Sequence, residues 1–138
     1  MAEQVESSGR LPRDRAMRMT VGDVMIANPQ TLPADALVAD VRRMFDRPSQ
    51  RTVLLAEGGI FRGAIERDGL PAGAPEDEPA ARYADTAVPT ATPGMSMTEA
   101  VALLDDRPEP RLIVLDEDGM TLRGLLCFSR GSSEFCVA

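Results

Sequence analysis

The stretch Asp46-Arg47-Pro48-Ser49-Gln50-Arg51-Thr52-Val53-Leu54-Leu55-Ala56-Glu57-Gly58-Gly59-Ile60-Phe61-Arg62-Gly63 decides the architecture, because its pattern occurs twice. A shift of 60 residues, from 46 to 106, sets it on Asp106-Arg107-Pro108. Arg51 then falls on Arg111, Leu55 on Leu115, Glu57 on Glu117 and Gly59 on Gly119, and one inserted residue brings Arg62-Gly63 onto Arg123-Gly124. Upstream, the same shift places Pro29 on Pro89, Pro33 on Pro93 and Val41 on Val101. A bias toward Arg, Ala and Pro yields scattered matches, but not a shared tripeptide in register with a shared turn glycine. The chain is an internal duplication, and each copy is one supersecondary unit.

Each copy reads in the same order. Leu37, Val41, Met44 and Phe45 have the spacing of one helical face over residues 36–46, and Met97, Ala100, Val101 and Leu104 repeat it over 97–104. Ser96-Met97-Thr98-Glu99 is a capping-box pattern, and Asp35 is the expected cap of the first helix. Pro48 and Pro108 stop the helices, since proline cannot continue the hydrogen-bond ladder. Two strands follow each helix, Thr52 to Ala56 and Ile60 to Ile65 around Glu57-Gly58-Gly59, then Leu112 to Asp116 and Met120 to Phe128 around Glu117-Asp118-Gly119. Residues 18–70 and 83–138 are the expected units. Residues 71–82, rich in Pro, Ala and acid, read as an exposed linker, and 1–17 as a mobile arm or one ordered by a partner.

Composition narrows the chemistry. The 138 residues are 43% hydrophobic and 27% charged, enough for one domain or two small halves sharing a core. There is no His and no Lys, so all 15 basic residues are Arg. That removes His-activated nucleophiles, His-containing zinc sites, Schiff bases and the phosphate-loop lysine. A net charge of -7 opposes binding to nucleic acid, although a few local Arg can hold a small anion. Two cysteines do not make a secreted disulfide framework, Met1-Ala2-Glu3-Gln4 lacks signal-peptide character, and no apolar run is long enough to span a membrane. The expectation is a stand-alone cytoplasmic protein.

The ordered motifs resemble a tandem pair of CBS (cystathionine beta-synthase) domains, the Bateman module. Val21-Gly22-Asp23-Val24-Met25 is similar to the family's opening Val-x-Asp-Val-Met, and Pro29-Gln30-Thr31 to the Pro-x-Thr before its first strand. Thr92-Pro93-Gly94-Met95-Ser96-Met97-Thr98-Glu99-Ala100 resembles its helix entry, and Arg111-Leu112-Ile113-Val114-Leu115-Asp116-Glu117-Asp118-Gly119 its strand and turn, with Ile113 in place of a proline. The resemblance covers residues 19–130. It implies an α/β (α+β) fold of two units about a pseudo-two-fold axis, each a small sheet packed by short helices.

What the resemblance implies for function is a regulatory module, not an enzyme, that senses AMP, ADP, ATP or S-adenosylmethionine, self-associates as a homodimer, or both. The alternative is a ligand-free dimerisation or partner-binding module with degenerate clefts. The family's ligand pattern is Gly, two hydrophobics, Thr or Ser, two variable residues and Asp. Gly63-Ala64-Ile65-Glu66-Arg67-Asp68-Gly69 puts Glu66 at the hydroxyl position and Gly69 at the acid's, with Asp68 one residue early. Gly124-Leu125-Leu126-Cys127-Phe128-Ser129-Arg130 puts Cys127 and Arg130 there. Candidate ligand-binding residues are therefore Thr31, Arg51, Glu66, Arg67 and Asp68 in the first copy, and Thr90, Arg111, Cys127, Ser129 and Arg130 in the second. Asp68 reads either as a ribose acceptor after a one-residue shift or as a solvated turn residue. Arg67 and Arg130 suit phosphate, yet equally a surface role. The recurring pairs Arg51/Arg111 and Arg62/Arg123 are expected to pair with Asp46, Glu57, Asp106 or Glu117. Cys127 reads as a small buried residue and Cys136, near the end of the sequence, as exposed, with redox sensing the lesser alternative because no His or Lys is present to activate a thiol; no metal ligand set is apparent.

Overall fold

The computed structural model describes residues 10–107 and 110–136, and by compactness they form two units. One gathers the chain up to Pro29 and again from Pro89; the other is Gln30–Val88. We call them the terminal and central units.

In the central unit, β3 (Thr31–Pro33) runs parallel to β4 (Thr52–Glu57), which pairs antiparallel with β5 (Ile60–Glu66). The hairpin turn is Gly58-Gly59, with φ of 56° and 84°, the double positive-φ geometry that glycine enters without a Cβ clash. Helix α3 (Val38–Phe45) covers the sheet, and Val41, Val53, Leu55, Ile65, Ala36 and Ala80 form the core. The helix starts two residues later than its apolar spacing suggests. Its cap is therefore not Asp35: the Leu37 amide donates to Asp40 Oδ2 at 3.0 Å, so an acid one turn inside the helix satisfies the free donor. Helix α3 ends before Pro48, while Pro108 of the second copy lies outside the described residues.

The stretch 71–82 is exposed at most positions, as expected, but it is fastened to α3 and is not a free linker. Glu78 and Glu76 carbonyls accept from the Val38 and Ala39 amides at 2.9 and 3.1 Å, and Arg42 donates to the carbonyls of Pro71, Ala72 and Ala74. Free amides at a helix start need acceptors, and this strap supplies them. Ala74 and Ala80 are buried beneath it.

In the terminal unit the sheet order is β1 (Arg10–Pro12), β9 (Glu134–Cys136), β8 (Leu122–Ser129), β7 (Arg111–Leu115), β6 (Thr90–Ala91), with β2 (Ile26–Ala27) also paired to β8. Helices α1 (Arg13–Ala16), α2 (Val21–Val24) and α4 (Met97–Asp105) supply Ala16, Val21, Val24, Met97, Ala100, Val101 and Leu104 to a core completed by Leu112, Val114, Leu126, Phe128 and Phe135. Each such large side chain contributes about 1.5–3 kcal/mol on burial. As expected, Ser96 caps α4, its Oγ accepting from the Glu99 amide at 3.2 Å. Within residues 10–17 the expected mobile arm is instead strand and helix: β1 pairs along β9 and Ala16 is fully buried, because the edge of β9 offers unpaired backbone groups.

The compact units do not follow the repeat boundaries 18–70 and 83–138. Residues 21–27 open the first copy but pack with the second, where β2 crosses β8 at Gly124. Ala84-Asp85 open the second copy but pack with the first, where Asp85 exchanges both backbone hydrogen bonds with Ala64, beside Gly63. A Cβ on Gly124 would lie 2.7 Å from the Ile26 carbonyl oxygen, and one on Gly63 2.7 Å from Ala84 Cβ. The glycine shared by the two copies is thus the point at which the leading segment of one copy passes over the strand of the other.

Candidate functional site

The candidate residues fall into two groups, one in each unit, at the open end of each hairpin. In the central unit Thr52 stands opposite Glu66, and Thr31, one pleat further along, stands opposite Leu54. Thr52 is buried and its Oγ1 donates to Glu66 Oε1 at 2.7 Å. The carboxylate that replaces the family's hydroxyl is therefore engaged by a neighbouring hydroxyl. Sequence reading missed Thr52 because extrapolation from the Glu57–Ile60 pair sets it opposite Ile65; the bulge between Leu55 and Ala56 shifts the register by one.

Past β5 the chain makes a 3₁₀ turn, Arg67–Gly69. The Arg67 amide donates to the Arg51 carbonyl at 2.8 Å. Its guanidinium donates to the carbonyls of Phe45, Arg47 and Gln50 at 2.8, 2.7 and 2.7 Å, and lies 5.0 Å from the Phe45 ring centroid. These oxygens belong to the last residue of α3 and the segment just after it, where unsatisfied carbonyls and the helix dipole favour a cation. The charge expected to meet a phosphate is thus spent on the helix end. Asp68 next to it is exposed, as is the side chain of Arg51.

The terminal unit repeats this arrangement with different residues. Arg130, following β8, donates to the carbonyls of Leu104 and Arg107 at 3.1 and 2.6 Å, at the end of α4. Arg107 is the copy of Arg47, yet Arg130 is not the copy of Arg67, which falls on Phe128. Two arginines from non-equivalent positions reach one equivalent pair of carbonyls, those of Arg47 and Arg107, a relation that alignment of the copies does not reveal. Arg111 opens β7, is buried, and stands opposite Cys127. Thr90 is exposed in β6 opposite Ile113, and Ser129 ends β8 opposite Glu134. Burial pushes the Cys127 thiol up to about 12, with Cys136 adding to the shift and Arg111 opposing it. Cys136 is half-buried and lies directly across from Cys127, in place of the exposed position expected for it. Arg123 pairs with Asp116 at 3.2 Å, an acid outside the expected set. Among the described residues no cluster of three or more metal-ligating side chains occurs.

Two small sheets, each with a parallel strand, a hairpin and covering helices, define the class: the fold is that of a CBS-domain pair, and residues 80–129 match the CBS domain family. Among solved structures, the chain is similar to a putative acetoin utilization protein (AcuB) from Vibrio cholerae, at 18% identity over 78% of this chain and 82% of that one, with a TM-score of 0.68. It is similar to CBSX2, solved in complex with AMP, at 18% identity, covering 83% of this chain and 92% of that one, TM-score 0.70; CBSX2 is a CBS-pair protein from Arabidopsis thaliana. The CBS domain of a bacterial CNNM/CorC family Mg2+ transporter, in complex with ATP, aligns at 15% identity over 82% of this chain and 84% of that one, TM-score 0.66. No curated protein sequence matches the chain.

Proposed function

We propose that this protein is a regulatory CBS-pair module that acts by binding an adenine nucleotide, with Asp68 as the ribose acceptor, and not by catalysis. The observation that carries this reading is the exposure of Asp68 in a turn fastened by its neighbour Arg67. A ribose presents two hydroxyl donors, and a carboxylate on an anchored turn accepts both without first having to be ordered. Glu66 and Arg67 then serve to hold the turn. The structures of similar fold solved with AMP and ATP make adenine nucleotides the first ligands to try, with ADP and S-adenosylmethionine beside them. The cytoplasm, where these compounds are plentiful, is the compartment this reading assigns. Among the described residues no helix is long and apolar enough to cross a membrane.

Calorimetry with AMP and ATP on the wild type and on Asp68→Ala tests the proposal. Loss of a hydrogen-bonded carboxylate removes about 1.5–3 kcal/mol, so the substitution should weaken binding tenfold or more. Equal affinities would show that Asp68 is not the acceptor. A second reading has its own support, since Glu66, Arg67 and Arg130 are all engaged inside their units. An association module without nucleotide would give no heat with any of the four compounds.

A further inference from the structure

The terminal unit carries a row of side chains to which the proposed binding at Asp68 gives no part. Across four antiparallel strands the register sets Arg111 against Cys127, Cys127 against Cys136, and Cys136 against Arg10. Leu126 and Phe128 point into the core, so the alternation of β8 turns Cys127 to the opposite face, and Phe135 does the same for Cys136. Both cysteines are thiols and both are half-buried, and Cys136 lies near enough to Cys127 to add to the rise of its pKa. Directly opposed residues of antiparallel strands have Cα atoms about 4.5 or 5.5 Å apart. Either spacing lies inside the range of about 4.4–6.8 Å that a disulfide spans without backbone movement.

We propose that Cys127 and Cys136 are a reversible redox couple, closed to a cross-strand disulfide by a low-molecular-weight disulfide such as oxidised glutathione. Cys127 is held protonated by burial, which makes Cys136 the attacking group. Its thiolate displaces one thiolate from the small disulfide and forms a mixed disulfide. Cys127 then passes its proton to the small thiolate released in the first step and attacks the Cys136 sulfur, releasing the second small thiolate. The two protein thiols lose two electrons and two protons in total, and the small disulfide is reduced to two thiols. Closure ties β9, which also holds β1, covalently to β8.

The test equilibrates the whole chain in glutathione redox buffers, quenches by alkylation, and reads intact mass. The expected product is a monomer lacking two hydrogens and carrying no glutathione. Its dithiol-to-disulfide equilibrium constant should exceed that of the same chain in denaturing urea by about a hundredfold, the chain-entropy value for a loop of about ten residues, and by no less than about tenfold. Cys127→Ser should instead retain glutathione on Cys136. Equal constants in buffer and urea, glutathione retained on the wild type, disulfide-linked dimers, or an unmodified Cys127→Ser protein would each overturn the proposal.

Discussion

Asp118 shows what one carboxylate does to a turn. It accepts from the Met120 and Thr121 amides at 2.8 and 2.9 Å and from Thr121 Oγ1 at 2.7 Å, closing the connection between β7 and β8. Those bonds, the Thr121 hydroxyl's first, hold its pKa below the ordinary 3.8. A folded-state pKa below the unfolded one favours folding in full above the ordinary value, and that contribution is lost as pH falls through the folded value. Asp118→Asn should therefore lower stability at neutral pH and shrink the loss of stability on acidification. Urea midpoints measured from neutral pH into the acid range check this, and parallel curves for the two proteins would refute it. Asp118 and Gly119 were readable as turn residues from sequence because turn chemistry is local. Gly63 and Gly124 were readable as a repeated pair, but not the reason for them, which is a segment passing close over each: Ala84-Asp85 at Gly63 and Met25-Ile26 at Gly124.

At the scale of elements, both long helices end against an arginine delivered by the strand that follows. Arg67→Ala removes the donor to three carbonyls, one at the end of α3 and two beyond it, and should cost about 1.5–3 kcal/mol, the range for hydrogen bonds to charged groups. Arg67→Lys restores the charge but not the planar fork and should recover only part of the loss. Denaturant unfolding of the three proteins measures it, and an unchanged midpoint in Arg67→Ala would remove the helix end from the account. The helices and hairpins were visible in the sequence through period and turn glycines. The 3₁₀ segments Arg67–Gly69 and Ala80–Tyr83 were not, since a strap of Pro, Ala and acid has no period, and its order comes from the amides and the arginine of α3 that it satisfies.

For the whole molecule, we expect self-association through the helices beside the strands. The sequence carries more apolar helical positions than one thin sheet face requires, and Leu37 at the start of α3 is 40% exposed. Sedimentation should find a species of about twice the 14.8 kDa chain mass at micromolar concentration. Each chain carries a net charge of -7, so screening the mutual repulsion with salt should tighten the association. A monomer at every salt and protein concentration would count against it.

The sequence by itself determined the duplication and the helix-and-hairpin order of each copy, which rest on period, turn chemistry and a repeated register, and its resemblance to the family exposed the departure of both copies from the ribose pattern. The tertiary structure alone decided that residues 21–27 complete the second copy and residues 84–85 the first, that Arg67 and Arg130 serve helix ends, and that Cys127 faces Cys136. The first two depend on segments separated along the chain, and the cysteine pair on the register of β8 with β9, where a single-residue slip moves every following side chain to a different partner.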